Sequence, residues 1–139
     1  MTVYRGHCLC GGIRFEVRGP LAPVQICHCS QCRRAQGTPL VTNVPVEADA
    51  FTLLQGQALL AAFESSPGKQ RVLCRRCGSP VFSRREALPG VLRLRLGLLD
   101  EPVDVALQAH AHVGSKAGWW PICDTLPQFD AGLPQAPQR

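Results

Sequence analysis

Seven of the chain's eight cysteines stand in three tight groups: Cys8 and Cys10 in "CLCGG", Cys27, Cys29 and Cys32 in "CHCSQC", and Cys74 and Cys77 in "CRRCGS". Cys123 stands alone. Closely spaced thiols in a reducing compartment are ligands for soft metals, zinc first among them, whereas disulfide frameworks belong to secreted scaffolds. In an extended segment side chains alternate, so C-x-C turns both sulfurs to one side and the middle residue away. Leu9 and His28 are therefore expected outside the metal's ligand set. C-x-x-C needs a tight turn to bring two thiolates within the ~2.3 Å reach of one zinc. Cys10 and Cys77 are each followed by glycine, Gly11 and Gly78, which takes up φ > 0 without strain. That shared mark suggests that "CLCG" and "CRRCG" are halves of one closed four-cysteine site. Cys27, Cys29 and Cys32 are then left as a three-thiolate cluster with a fourth position open, the ligand number of a catalytic zinc. The rival partition lets Cys123 or His28 complete this second site.

Three thiolates around a divalent ion carry a local charge of −1, which weakens activation of water and suits a soft incoming thiol, held as a nucleophilic thiolate. Other cysteine chemistries fit less well. A nucleobase deaminase needs H-x-E and P-C-x-x-C, but Leu73 precedes Cys74 and no H-x-E occurs. Haem attachment needs histidine where Gly78 stands, and a thioredoxin-like role would need a βαβ setting. Arg33 and Arg34 directly follow Cys32 and are candidates to hold the carboxylates of a thiol substrate, against the plainer reading of solvated surface arginines. His28 reads as a surface residue or one just outside the metal's ligands. Lys116 and Trp119 read as a turn residue and a core anchor, and Cys123 as a small buried hydrophobe.

The segments "GHCLCGGIRFEV", "CHCSQCRRAQG", "LCRRCGSPVF" and "HAHVGSKAGWWPICDTLPQF" occur in this order along the chain. Together they resemble the glutathione-dependent formaldehyde-activating enzymes, a family that also includes relatives of centromere protein V. The resemblance implies a zinc-bearing β-tent of short coiled antiparallel sheets with two Zn²⁺ per chain. By motif position, Cys8, Cys10, Cys74 and Cys77 correspond to a structural zinc, and Cys27, Cys29 and Cys32 to a second zinc where glutathione chemistry takes place. His110 matches a family position and is a candidate for acid–base catalysis. The implied activity is that of a carbon–sulfur lyase, or S-(hydroxymethyl)glutathione synthase, joining a thiol to formaldehyde. The sequence departs from the family's pattern at Ala111, His112 and Gly118, and Cys123 has no counterpart among the ligands. The alternative function is a non-catalytic interaction module in which both zincs are structural.

The elements that must position these residues are short strands. "IRFEVR" alternates Ile13, Phe15 and Val17 with Arg14, Glu16 and Arg18, and "LRLRLG" alternates Leu92, Leu94 and Leu96 with Arg93 and Arg95, the period-2 signature of half-buried strands. "LVTNVPV", "FTLLQG", "ALLAAF", "RVLC", "PVFS" and "VALQAH" are further strand candidates separated by Pro, Gly and Asp. "ALLAAF" could equally be a buried helical turn, and "SQCRRAQG" suits one helical turn ended by Gly37. The pattern predicts an all-β, β-dominated fold.

With 139 residues, 13 glycines and 12 prolines, the chain suits one turn-rich domain, expected over residues 1–132, with a loose Pro-rich tail from 133 to 139. The first residues lack the apolar core of a secretory signal, and no run reaches the ~18 apolar residues of a membrane span, so a cytoplasmic protein without membrane contact is expected. The formal charge of +5 is carried mainly by arginine. Seven thiolates holding two Zn²⁺ would bring it to about +2, and lysine-rich runs are absent, which argues against nucleic acid as partner; the small thiol and aldehyde expected instead are what the resemblance implies.

Overall fold

The computed structural model describes residues 2–134. Among them are ten strands and one short α-helix, in agreement with the expected β-dominated class. Strands β1 (Val3–His7), β2 (Arg14–Arg18) and β5 (Phe51–Gln55) form a small sheet in the order β1-β2-β5. The larger sheet has the order β10-β3-β4-β9-β8-β7-β6. Its members are β3 (Val24–Cys27), β4 (Val41–Glu47), β6 (Leu60–Ser66), β7 (Lys69–Cys74), β8 (Pro80–Arg85), β9 (Val91–Arg95) and β10 (Leu107–Ala111). Helix α1 (Ser30–Gln36) follows β3 directly and ends at Gly37, in the left-handed conformation expected of it.

Alternation along the strands builds the core between the two sheets. Ile13, Phe15 and Val17 from the small sheet meet Val44, Val46, Val72, Phe82, Leu92 and Leu94 from the large one. The rings of Phe15, Phe51 and Phe82 continue from one sheet to the other, with successive centroids 5.0 and 5.6 Å apart. Cys8 and Cys74 lie fully buried in the same cluster.

The pairings are antiparallel except for β10 on β3, which is parallel. Two strands, β1 and β3, have no counterpart among those expected from the sequence. "ALLAAF" is resolved as a 3-10 turn at Gln57–Leu59 followed by strand β6, which forms the sheet's edge with Phe63 exposed. "LRLRLG" keeps its alternation through Arg95 and then tightens into a 3-10 turn at Leu96–Leu98. Two other expectations change: Trp119 is 70% exposed and is no core anchor, and Cys123 is exposed. His28 is fully buried, which removes the surface reading and leaves the one just outside the cysteine cluster. The expected tail begins at Leu133, but Leu133 and Pro134 line the cavity described below, and residues 135–139 lie outside the described ones.

Candidate metal centres and the cavity beside them

The four-cysteine cluster joins the end of β1 to the turn between β7 and β8. Gly11 and Gly78 both have the positive φ anticipated for them, at 76° and 82°. Each closes a tight turn: the Gly11 N–H donates to Cys8 O and the Gly78 N–H to Cys74 O. The Leu9 N–H donates to Ser79 Oγ at 2.8 Å and ties the two turns together. All four Sγ atoms lie within 4.8 Å of one another, with Cys8–Cys10 at 3.5 Å and Cys10–Cys74 at 3.9 Å. Four sulfurs placed ~2.3 Å from a tetrahedral zinc would be ~3.8 Å apart, so both the spacing and the soft donor set fit that metal. Backbone N–H groups of Ile13 and Gly12 donate to Cys8 and Cys10 Sγ. The Gly12 N–H, with the Arg76 guanidinium, lowers the Cys10 pKa, and the Ser79 hydroxyl lowers that of Cys77 to about 5. Burial raises that of Cys74.

The second cluster is made at the β3–α1 junction. Cys27 ends β3, Cys29 is the N-cap of α1, and Cys32 lies in its first turn. The Cys29 sulfur accepts the Cys32 N–H at 3.3 Å, so a candidate metal ligand also caps the helix. The three Sγ atoms lie within 4.8 Å of one another, and Cys27 and Cys32 are 3.3 Å apart. Hydrogen bonds from Cys27 and Cys32 hold the Cys29 pKa far down, and the bond to Cys29 pushes that of Cys27 up. The Arg71 guanidinium nitrogens lie 3.8 and 3.9 Å from Cys32 Sγ, and Arg71 is itself buried.

All three cysteines line a cavity of about 680 Å³ on the face of the large sheet turned away from the core. That volume lies within the range of small-molecule sites. The floor comes from alternation: Gln25, Asn43, Ser83, Arg93 and Arg95 stand on this face while Leu92 and Leu94 point into the core. Lys69 and Arg85 stand at one side, and Ala111, His112 and Ser115 at another. Arg95 is 6% exposed, and burial lowers its pKa to about 10. Burial likewise lowers Lys69, helped by the nearby Arg71 charge, and Arg93, helped by Arg85.

Arg33, Arg34 and His110 are not among the residues lining this cavity. Arg33 and Arg34 sit on the later part of α1, Arg33 half-buried and Arg34 exposed. His110 is 2% exposed and points to the other face of β10 from Ala111. There its Nδ1 shares a 2.8 Å hydrogen bond with His28 Nε2, and its Nε2 lies 2.9 and 3.0 Å from the Asp124 carboxylate oxygens. With Asp124 ionised, His110 donates through Nε2 and accepts the His28 Nε2–H at Nδ1. Burial lowers the His28 pKa, and the Leu126 backbone N–H, with His110, lowers that of Asp124. His28 therefore lies outside the cysteine cluster's ligand set, as alternation requires, but inside the protein.

Sequence reasoning did not single out Lys69, Arg85, Arg93 or Arg95 as cavity residues. The signal was the "LRLRL" alternation, in which the arginine face reads as solvent. His112 was noted only as a departure from the family's pattern. It is the only described non-glycine residue with positive φ, at 57°, and it lines the cavity.

Comparison with known proteins agrees with this arrangement. Relatives named for glutathione-dependent formaldehyde activation in Aspergillus flavus and Pyrenophora teres f. teres are each 24% identical to the chain. The alignments cover 81% and 90% of the chain but 54% and 57% of the relatives, so the chain spans little more than half their length. A crystal structure of a Rhodobacter sphaeroides protein from structural genomics superposes with a TM-score of 0.62 at 20% identity, covering 75% of this chain and 99% of that one, and so shares the fold. The family model matches residues 3–115, which hold both cysteine clusters and the sheets that carry them, and the chain belongs to the glutathione-dependent formaldehyde-activating enzyme family.

Proposed function

We propose that the chain is a carbon–sulfur lyase that joins a thiol, glutathione by family, to formaldehyde, or runs the reverse cleavage. The observation that carries this reading is the three-cysteine cluster opening into a ligand-sized cavity. In this reading Cys8, Cys10, Cys74 and Cys77 hold a structural zinc, and Cys27, Cys29 and Cys32 hold a second. Zinc held by three thiolates supplies a soft acceptor that keeps a thiol sulfur ionised near neutral pH. The forward reaction forms one C–S bond between sulfur and the carbonyl carbon. The C=O π pair moves to oxygen, which takes up the proton that the thiol gave away.

The chain's own residues bind, orient and move that proton. His112 is the histidine on the cavity wall and is assigned the transfer to oxygen. His110, with Asp124, holds His28 and so orients the "CHC" strand end from behind; it is a positioning residue. Arg33 and Arg34 attract an anionic thiol from outside the cavity. Seven cysteines kept reduced as metal ligands suit the cytoplasm.

The test is zinc quantification and zinc X-ray absorption of the full chain with and without glutathione, alongside NMR of formaldehyde. Two zincs per chain, one gaining a sulfur neighbour when glutathione is added, are expected, with faster formation of the thiol adduct. A metal environment indifferent to glutathione overturns the reading. It would favour instead an interaction module with two structural zincs, a reading that draws on the exposed Trp119 and Trp120 pair.

A further inference from the structure

The chain has two lysines among its 15 basic residues, Lys69 and Lys116, and they stand in different surroundings. Lys116 is taken up by its own turn, where its Nζ donates to Ala117 O and Trp120 O. Lys69 begins β7, is half-buried, and lines the cavity together with Cys27, Cys29 and Cys32. Alternation sets it on the same face as Arg71, about 7 Å back along the strand. Arg71 in turn reaches Cys32, and Arg85 lies opposite Lys69 on β8. No described hydrogen bond or ion pair involves the Lys69 Nζ. The other cationic side chains lining the cavity among the described residues are arginines: Arg85, Arg93 and Arg95. A guanidinium keeps its proton and is no nucleophile, whereas an amine that gives up its proton attacks a carbonyl carbon. Removal from water and neighbouring cations both loosen an ammonium's hold on that proton. Lys69 has both: burial lowers its pKa, and the charges of Arg71, Arg85 and Arg93 lower it further against the opposing pull of Cys32.

We propose that Lys69 is the aldehyde-capturing residue of this cavity, its amine binding the carbonyl carbon of formaldehyde covalently and passing it to the thiol. The proposal rests on the thiol reading above and adds a catalytic residue to it. In the first step the amine lone pair forms an N–C bond, the C=O π pair moves to oxygen, and the proton leaving nitrogen follows it, giving a carbinolamine. The proton that the thiol gave up then goes to the same oxygen, which leaves as water with the C–O pair while nitrogen closes an iminium. The thiolate attacks the iminium carbon; the C–S bond forms and the C=N π pair returns to nitrogen. Water then adds to that carbon, its proton goes to nitrogen, and the C–N bond breaks with its pair on the amine. The water released is returned, no oxidant or reductant is needed, and the product is the same hydroxymethyl thiol. The gain is an electrophile held beside the cysteine cluster, where free formaldehyde in water is mostly its unreactive hydrate.

The test is reductive trapping on the zinc-loaded full chain at neutral pH, with formaldehyde, sodium cyanoborohydride and Nα-acetyllysine as reference amine in the same tube. Cyanoborohydride reduces an iminium to a stable methylamine, which peptide mass spectrometry locates. Methylation of Lys69 is expected to run at least about tenfold faster than that of the reference amine. Lys69→Arg keeps the positive charge and removes the nucleophile. It should leave glutathione affinity and the response of the zinc environment to glutathione in place while slowing adduct formation by about tenfold or more. Labelling of Lys69 no faster than the reference amine overturns the capture site, as does an unchanged rate in Lys69→Arg; the thiol reading survives both results. Lys69 labelled as expected, with a zinc environment indifferent to glutathione, would keep the aldehyde site and overturn the thiol reading beneath it.

Discussion

At the scale of single residues, the two cysteine clusters differ in what surrounds their sulfurs. Cys77 has its pKa lowered to about 5 by the Ser79 hydroxyl, and Cys10 is lowered by the Gly12 N–H and Arg76. A depressed pKa stabilises the folded, thiolate-bearing state fully above the ordinary thiol pKa of ~8.5 and loses that contribution as pH falls through the folded value. Metal retention by this cluster is therefore expected to weaken as pH falls, with Cys77 among the ligands that resist protonation longest. Ser79→Ala should move the release midpoint to higher pH, measured with a metallochromic dye. On the cavity wall, His112→Gln should slow adduct formation by about a hundredfold and flatten its pH profile while leaving thiol affinity in place. An unchanged pH profile would take the proton transfer away from His112.

At the scale of elements, the turns decide where the sulfurs stand. Gly78 holds φ at 82° with open space around its missing Cβ, so Gly78→Ala strains the backbone without a steric clash. The expected cost is ~1–2 kcal/mol, read as a lower unfolding midpoint in denaturant. The conservative control is Gly97→Ala, where φ is ordinary and no atom lies within 4 Å of the added carbon. These turns were legible in the sequence because glycine after cysteine has a direct conformational meaning. Strand β1 was not, because Gly6 breaks its apolar pattern; the Phe15 ring and Leu98 O occupy the space a Cβ would need there. Strand β3 is only four residues long and gains its parallel partner β10 from more than 80 positions away, a pairing that no local pattern reveals. The arginine face of β9 was visible as alternation, but alternation does not say that a cavity rather than open water lies on the polar side. That depends on α1, on the His112 turn and on residues 132–134, which close over the sheet.

At the scale of the whole molecule, the fold sets the two cysteine clusters in different surroundings. The four-cysteine cluster lies where the small sheet meets the large one, with Cys8 and Cys74 fully buried in the shared core. The three-cysteine cluster stands on the large sheet's opposite face, outside that core, at the rim of the cavity. Removing one cysteine from each should therefore have different consequences. Cys74→Ser leaves a hydroxyl in the core and uncouples the sheets, with an expected loss of ~3 kcal/mol or more and a melting-temperature drop on the order of 10 °C. Cys29→Ser keeps a side-chain oxygen at the α1 N-cap, so the helix start is retained. It should shift the melting temperature by only a few degrees, within what ~1 kcal/mol produces, while abolishing adduct formation. Zinc content should fall from two per chain to one in both variants, which makes it the internal control for the comparison. If Cys29→Ser unfolded the chain as readily as Cys74→Ser, the three-cysteine centre would be holding the fold together, and its open position would have to be explained without catalysis.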